Sequence, residues 1–230
     1  MTHTMTRTIT LKAKRQLTPD VHAFTFTRPA GLDFTPGHAT ELALARPGWR
    51  DKGRPFTFTS LPGAADLEFV IKSYPDHDGV TAELADMHPG EMAEIDTPFG
   101  ALQDREPRAP ATFLAAGAGI TPFLAILRQR AADGRLSGCH LIFTNDTEAD
   151  IILRDELEAM PGLVTDFTVT GEEGSTVPQA ALDRAWLAAN VHDLTGHFYL
   201  CGPQGFVDDM REALLSLGAD PALVHTEEGW

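Results

Sequence analysis

Apolar and polar residues alternate through short stretches of the first half of the chain: Thr8 to Lys14, Val21 to Thr27, Thr40 to Ala45, Phe56 to Thr59 and Leu67 to Ser73. A period of two marks strands with one buried face. Between them stand Pro29-Ala30-Gly31, Pro36-Gly37, Pro47-Gly48 and Pro62-Gly63, residue types that set turn geometry. Short strands at this spacing predict an antiparallel barrel or sandwich. One helix is predicted over Thr81 to Met87, after Gly79 and before Pro89-Gly90.

The rhythm changes after the proline-marked stretch Glu106 to Pro110. Apolar strand candidates at Ala111 to Ala116, His140 to Thr144, Val164 to Thr170 and His197 to Cys201 now alternate with helical stretches. These helices run over Pro122 to Arg130, Ile151 to Met160, Pro178 to Ala189 and Gly205 to Leu217. Such alternation predicts a parallel sheet covered by helices, with ligands at the carboxyl ends of its strands. The expected architecture is therefore two-domain, an antiparallel β-barrel over 1–105 followed by an α/β parallel-sheet domain over 110–230. A chain of 230 residues is long enough to give each unit its own core.

Hydrophobic residues at 43% and charged residues at 22% describe an ordinary folded protein. No apolar run approaches the roughly 20 residues that span a bilayer, and Met1 to Arg7 lacks the apolar core of a signal peptide. No membrane association and a cytoplasmic location are the expectation. Cys139 and Cys201 are the only cysteines and lie far apart, so this chain assembles no Cys-ligated iron–sulfur cluster and no metal site is expected. Cys139 reads as a small buried apolar residue.

A net charge of −15 argues against a nucleic-acid partner. The average hides an asymmetry, because residues 1–60 hold nine Lys and Arg against four Asp and Glu, a local +5 that leaves −20 for the rest. A basic face on an acidic molecule can orient an acidic partner; the same residues also fit solvated barrel loops.

Four motifs carry chemistry. In Arg54-Pro55-Phe56-Thr57-Phe58-Thr59-Ser60, a guanidinium suits a phosphate, a planar ring suits the face of a flavin, and the Thr57 hydroxyl can reach a flavin ring nitrogen. Lys72, on the strand that follows, joins the candidate cofactor-binding set. Gly79-Val80-Thr81 at a helix start offers free backbone N–H groups for a pyrophosphate, although Thr81 also fits a plain N-cap. Gly117-Ala118-Gly119-Ile120-Thr121-Pro122 turns from strand to helix as a dinucleotide site requires, with Thr121-Pro122 where a third glycine would stand. Cys201-Gly202-Pro203 ends a strand, placing a polarizable thiol at the crevice where a nicotinamide would lie. At the terminus, the Trp230 ring can cover a flavin and Glu228 can relay a proton.

In this order the motifs resemble the ferredoxin–NADP reductase superfamily, whose bacterial flavodoxin and ferredoxin reductases are similar in length. The resemblance runs from Phe34-Thr35-Pro36-Gly37 to Trp230, with Phe56 in place of a common tyrosine and Trp230 in place of a terminal one. It implies an FAD-binding barrel and a nucleotide-binding domain. It also implies hydride transfer from NAD(P)H to FAD, with electrons then passed to a small acidic carrier such as flavodoxin or ferredoxin, or to another small acceptor. By the same resemblance Arg54, Phe56 and Thr57 hold the flavin, Gly79 to Thr81 its phosphates, and Gly117, Gly119 and Thr121 the nucleotide. Cys201, Gly202 and Pro203 sit near the nicotinamide.

Asn145-Asp146-Thr147-Glu148 places acids after a strand where selectivity for a 2′-phosphate calls for an arginine, so NADH is favoured, with NADPH possible. Arg154 is the nearby cation, expected to pair with Asp150 or Glu158. Two other classes stay open: a free-flavin reductase, and an electron-relay or nucleotide-sensing subunit of a larger complex.

Overall fold

A computed structural model describes residues 6–74, 79–100 and 102–227. The alternating stretches form β1 (Arg7–Gln16), β2 (Val21–Thr27), β3 (Ala39–Leu44), β4 (Arg54–Thr57), β5 (Asp66–Lys72) and β6 (Met92–Ile95). They make one antiparallel sheet in the order β4-β3-β6-β1-β2-β5. Beyond the end of β4, the Thr59 N–H donates to the Glu68 carbonyl at 2.9 Å, which links the two edge strands and curls the sheet into a nearly closed barrel. A register shift between Leu11 and Ala13 bends β1, so that one end pairs with β6 and the other with β2. Inward positions recur at every second residue: Ile9 and Leu11, Phe24 and Phe26, Leu67, Phe69 and Ile71, all packed into one buried cluster. Helix α1 (Val80–Ala85) plugs this core with Val80 and Leu84.

The second unit holds β7 (Ala111–Ala116), β8 (Cys139–Asn145), β9 (Leu163–Val169), β10 (His197–Cys201) and β11 (Val224–Thr226), all parallel in the order β11-β10-β7-β8-β9. Its helices are α2 (Thr121–Ala132), α3 (Arg154–Glu158), α4 (Arg184–Asn190) and α5 (Gln204–Leu217). Both faces of the sheet are covered, which is why its central strands read as nearly unbroken apolar runs. Phe113, Leu141, Phe143 and Tyr199 pack with α2, while Leu114, Ile142, Phe198 and Leu200 pack with α4 and α5.

The two units share a core. Val21, Ala23 and Val70 of the barrel belong to the same buried cluster as Leu102, Ile120, Phe123, Leu124 and Leu127.

Several boundaries differ from the sequence expectation. Strands β6 and β11 were not predicted: β6 is only four residues with Met92 52% exposed, and β11 is a three-residue edge strand. The helix expected over Ile151 to Met160 shrinks to Arg154–Glu158, because Ile151 and Ile152 are drawn into the core and Leu153 takes a left-handed φ of 55°. The helix expected from Pro178 starts at Arg184, where the Asp183 carboxylate accepts the Trp186 N–H at 2.7 Å; upstream, Gln179 instead bridges to Val169. Thr81 lies in the first turn of α1 rather than capping it, since Gly79 is the N-cap. No helix among the described residues is long and apolar enough to cross a membrane.

Phe58 is fully buried and stacks on Phe34 at 4.2 Å between centroids, with Phe69 at 5.0 Å. Truncation leaves a void that this aromatic layer cannot close, so Phe58→Ala is expected to lower unfolding free energy by about 3–5 kcal/mol. Urea unfolding measures it, and a loss below about 1 kcal/mol would show that Phe58 is not a keystone of the barrel core.

Candidate functional site

Strand β4 runs along the barrel edge facing the second unit. Pro55, Phe56 and Thr57 line a cavity of about 320 Å³ together with Lys72 from β5, Thr81 from α1 and Thr121 from α2. A larger cavity of about 600 Å³ opens at the carboxyl ends of β7, β8 and β10, where Gly117, Gly119, Thr144, Asn145 and Asp146 form its wall. Lys72, Tyr74, Ala118, Cys201 and Gly202 line both. The two cavities therefore meet at the end of β10, between the units.

Local backbone chemistry explains why this junction exists. After β7 the chain makes a 3-10 turn over Gly117–Ile120, with Gly117 at φ 53°, before α2 starts with Pro122 in its first turn. Gly119 packs directly on the end of β10: a Cβ there would collide with the Cys201 carbonyl and lie 2.6 Å from the Gly202 nitrogen. The glycine thus brings the first turn of α2 close against the Cys201–Gly202 peptide. Asn145 is 6% exposed, yet among the described residues neither its amide oxygen nor its amide nitrogen has a partner, and the buried Thr144 hydroxyl has none there either. Buried polar atoms are normally hydrogen-bonded, so these orphans on the wall of the larger cavity call for a polar ligand.

The loop after β8 is held in place by its own network. Gly171 and Thr170 N–H groups donate to the Asp146 and Asn145 carbonyls at 2.8 and 3.0 Å. The Glu148 carboxylate accepts from Ser175, from the Thr176 hydroxyl and N–H, and from Arg154, which also reaches Glu158 at 2.8 Å. Arg154 thus pairs with Glu158 as the spacing predicted, and with Glu148 rather than Asp150. Hydrogen bonds from Thr176, Arg154 and Ser175 hold Glu148 down to about 2. On the barrel side Lys72 sits 2.9 Å from Asp20; burial opposes its charge, but the carboxylate outweighs this and raises its pKa.

Cys201 ends β10 with Glu227 Oε2 4.0 Å from its sulfur. Burial, and then the neighbouring carboxylate, push the thiol up, so it stands as a neutral, polarizable group and not a thiolate nucleophile. Cys139 is fully buried beneath Arg130, whose Nη1 donates to its sulfur at 3.1 Å.

Of the residues singled out from sequence, Pro55, Phe56, Thr57, Lys72, Thr81, Thr121, Cys201 and Gly202 converge on the smaller cavity. Gly117, Gly119, Asn145, Asp146 and Pro203 converge on the larger one. Arg54 is exposed beside them, bonded only to its own Gly53 carbonyl and without a carboxylate partner among the described residues. Gly79 lies outside both walls, and so do the side chains of Val80 and Pro122, which are buried in the core. Glu228 and Trp230 lie outside the described residues. Sequence reading missed Asp20, Tyr74, Asp150, Thr170 and Glu227, all cavity-lining. Only Glu227, beside a candidate acid, carried a signal; Asp20 and Tyr74 are brought in by the docking of the two units, and Asp150 and Thr170 by the loops that follow β8 and β9.

The residues present fit the two groups that the motifs imply. A flavin suits a cavity walled by Phe56 and Thr57 with an uncommitted guanidinium beside it. A dinucleotide suits the glycine turn and the orphaned amide and hydroxyl at the end of β8.

Comparison with known proteins gives the same division. Residues 8–103 match an oxidoreductase FAD-binding domain, and residues 113–212 match an oxidoreductase NAD-binding domain. Ferredoxin–NADP reductase B of Sorangium cellulosum is 30% identical over 237 residues, spanning 94% of this chain and 95% of that protein. The electron transfer component of toluate 1,2-dioxygenase from Pseudomonas putida is 28% identical over 86% of this chain, which spans only 59% of that longer protein. A crystal structure of a ferredoxin NADP+ reductase from Neisseria gonorrhoeae, with bound FAD and NADP, superposes with a TM-score of 0.85 at 21% identity, covering 98% of this chain and 99% of that one.

A carboxylate whose folded pKa is depressed stabilises the fold above its unfolded pKa and loses that contribution as pH falls through the folded value. The contribution of Glu148 is therefore fully present above its ordinary 4.5 and fades towards pH 2. Glu148→Gln is expected to unfold more easily than wild type at pH 6, with the gap closing as pH drops. Equal gaps at pH 6 and pH 3 in urea titrations would contradict the network.

Proposed function

The chain belongs to the ferredoxin–NADP reductase superfamily, and from that premise we propose that it is an NADH-dependent flavoprotein reductase that passes electrons to a small carrier of the flavodoxin or ferredoxin kind. In this reading residues 1–105 bind FAD and residues 110–230 bind the nicotinamide nucleotide. The observation that carries it is the meeting of the two cavities at Ala118, Cys201 and Gly202, with flavin-type walls on one side and nucleotide-type walls on the other. When bound there, a flavin supplies hydride acceptance from the nicotinamide and one-electron release to the acceptor.

The chain's own residues bind and orient. Phe56 would lie against a flavin ring and Thr57 would offer its hydroxyl, while Arg54 would take a phosphate together with the Val80 and Thr81 amides at the start of α1. Gly117, Gly119 and the first turn of α2 would hold the nucleotide pyrophosphate, Thr121 would stand at the flavin side, and Asn145 with Asp146 would bind the ribose. Gly202 and Pro203 would give a nicotinamide a close backbone floor, beside which the neutral Cys201 thiol would exclude water without adding a charge. Glu227, 4.0 Å from that thiol, completes this edge. NADH is favoured because Asp146 is exposed at the site and Arg154 is committed to Glu148 and Glu158. The relatives named as a ferredoxin reductase and as an electron transfer component support a carrier as acceptor. Two free thiols fit the reducing cytoplasm.

An anaerobic absorbance spectrum tests the reading. The purified protein is expected to carry stoichiometric flavin that one equivalent of NADH bleaches, with kcat/KM at least about tenfold higher for NADH than for NADPH. A chain that holds no flavin, or flavin that NADH leaves oxidised, would overturn it.

Two substitutions test the walls. Arg54→Ala is expected to weaken flavin binding about tenfold or more, a loss of about 1.4 kcal/mol. Cys201→Ala should retain flavin but slow its anaerobic reduction in stopped flow; an unchanged rate would remove Cys201 from the reaction centre.

A further inference from the structure

Arg128 lies seven residues beyond Thr121 on α2, two helical turns along the same face, and that face looks at the barrel. Its side chain is 19% exposed and makes contacts in three directions. Nη1 donates to the Thr59 carbonyl at 2.7 Å and to Glu68 Oε1 at 2.7 Å, both on the barrel. Nε and Nη2 form a bidentate pair with Glu156 of α3 at 2.5 and 2.9 Å. Glu68 is itself tied to the end of the flavin strand: its Oε1 accepts the Thr59 hydroxyl at 2.8 Å, and its N–H donates to Ser60 Oγ at 3.0 Å.

One guanidinium thus joins the segment that carries Phe56 and Thr57, the helix whose first turn carries Thr121, and the helix that follows the β8 loop. Burial works against its charge, but hydrogen bonds and attraction from Glu156 and Glu68 outweigh it, so the cation persists at every pH at which the fold does. A planar fork is required, because a single ammonium cannot present parallel donors to Glu156 while also facing Thr59 and Glu68.

We propose that Arg128 is a positioning residue for hydride transfer: it sets the placement of the flavin-bearing strand relative to the nucleotide-bearing turn, and so the distance and angle at which the two reacting rings meet. The inference rests on the flavoprotein-reductase reading above. Arg128 touches neither cavity junction, so it acts through Thr59 on one side and through α2 on the other. Reaction rates depend steeply on near-attack geometry, and a misplacement of about 1 Å costs up to about a hundredfold. A residue that fixes the relation between the walls should govern the rate at saturation more than the affinity for nucleotide.

The test uses the flavin-loaded protein and the variants Arg128→Gln and Arg128→Lys. Flavin content, the KM for NADH, the limiting rate of anaerobic flavin reduction, and the long-wavelength charge-transfer absorbance of the nicotinamide–flavin pair are measured. Arg128→Gln is expected to keep its flavin, to lose about tenfold or more in limiting rate with a weakened charge-transfer band, and to shift KM less than about threefold. Arg128→Lys should fall between that variant and wild type. A limiting rate within about twofold of wild type in Arg128→Gln, or an undiminished charge-transfer band, overturns the proposal.

Should Arg128→Gln fail to hold flavin, Glu68→Gln decides, since it weakens the barrel arm of Arg128 and leaves its pair with Glu156 in place. A drop in limiting rate of about threefold or more supports the proposal, and an unchanged rate overturns it. Wild-type protein that NADH cannot reduce refutes the reductase reading, whereas reducible wild type with fully active variants refutes only the role of Arg128.

Discussion

The packing of the barrel against α2 is the constraint from which the site follows. Val21, Ala23 and Val70 sit on barrel strands, yet they are buried among Ile120, Phe123, Leu124 and Leu127 rather than in the barrel's own interior. Outward-facing positions on a barrel are ordinarily polar. Here small and β-branched apolar residues take them, so these strands bury both faces and the barrel is least stable without its partner unit. Because this contact is continuous core rather than a wet, polar seam, the default expectation of loosely hinged domains does not hold. Two cavities that meet across the seam therefore have a fixed relation.

Polar staples trim that contact. Arg130 is 1% exposed and donates bidentately to Asp104 at 2.6 and 2.8 Å, and to the carbonyls of Ala109 and Glu106 at 2.8 and 3.1 Å. The connection between the units is thus pinned to α2, and the Tyr199 hydroxyl accepts the Arg105 N–H at 2.8 Å to fix it from the sheet side. A buried charge is tolerable only when its donors are satisfied; here each partner is a segment that would otherwise be an unanchored linker. Helix α2 is accordingly the spine of the molecule, with its first turn at the cofactor cavity and its last at the connection.

Most of the fold was legible in the sequence because its signals are local. The period-two runs of β2 and β5 and the apolar runs of β7 and β8 state their own burial, and glycine and proline mark the ends. What failed was set by tertiary contact. Ile151 and Ile152 fit a helix pattern, but the pull of the core turns that segment out of the helix, and β11 exists only because β10 offers it an open edge. The motif residues Thr57, Thr121 and Cys201 were recognisable because glycine turns and strand ends announce them. Asp20 and Tyr74 were not, because their place in the wall depends on how the barrel is rotated on the second unit, a fact no short stretch encodes. Gly119 was legible as a phosphate-type glycine, while its equally strict role, clearance for the Cys201 carbonyl, became visible only with β10 in place.

The charge asymmetry takes a different meaning once folded. The +5 of residues 1–60 suggested a basic face that steers an acidic partner. In the structure Lys12 faces Asp66, Arg46 pairs with Glu83, Arg50 pairs with Glu94, and Lys72 lies against Asp20. Three of these acids, Asp66, Glu83 and Glu94, come from beyond residue 60 and offset part of the local excess, whereas Lys72, itself beyond residue 60, takes up Asp20. Exposed pairs of this kind add little stability, but they weaken the far field, which at physiological salt decays within about 8 Å in any case. Of the basic residues around β4, Arg54 keeps no carboxylate, and Lys52 turns to the Trp49 ring at 4.4 Å. Arg54 thereby keeps its positive charge beside Pro55 at the wall of the smaller cavity. What remains of the excess acts at short range, because charges further apart than about 8 Å are screened.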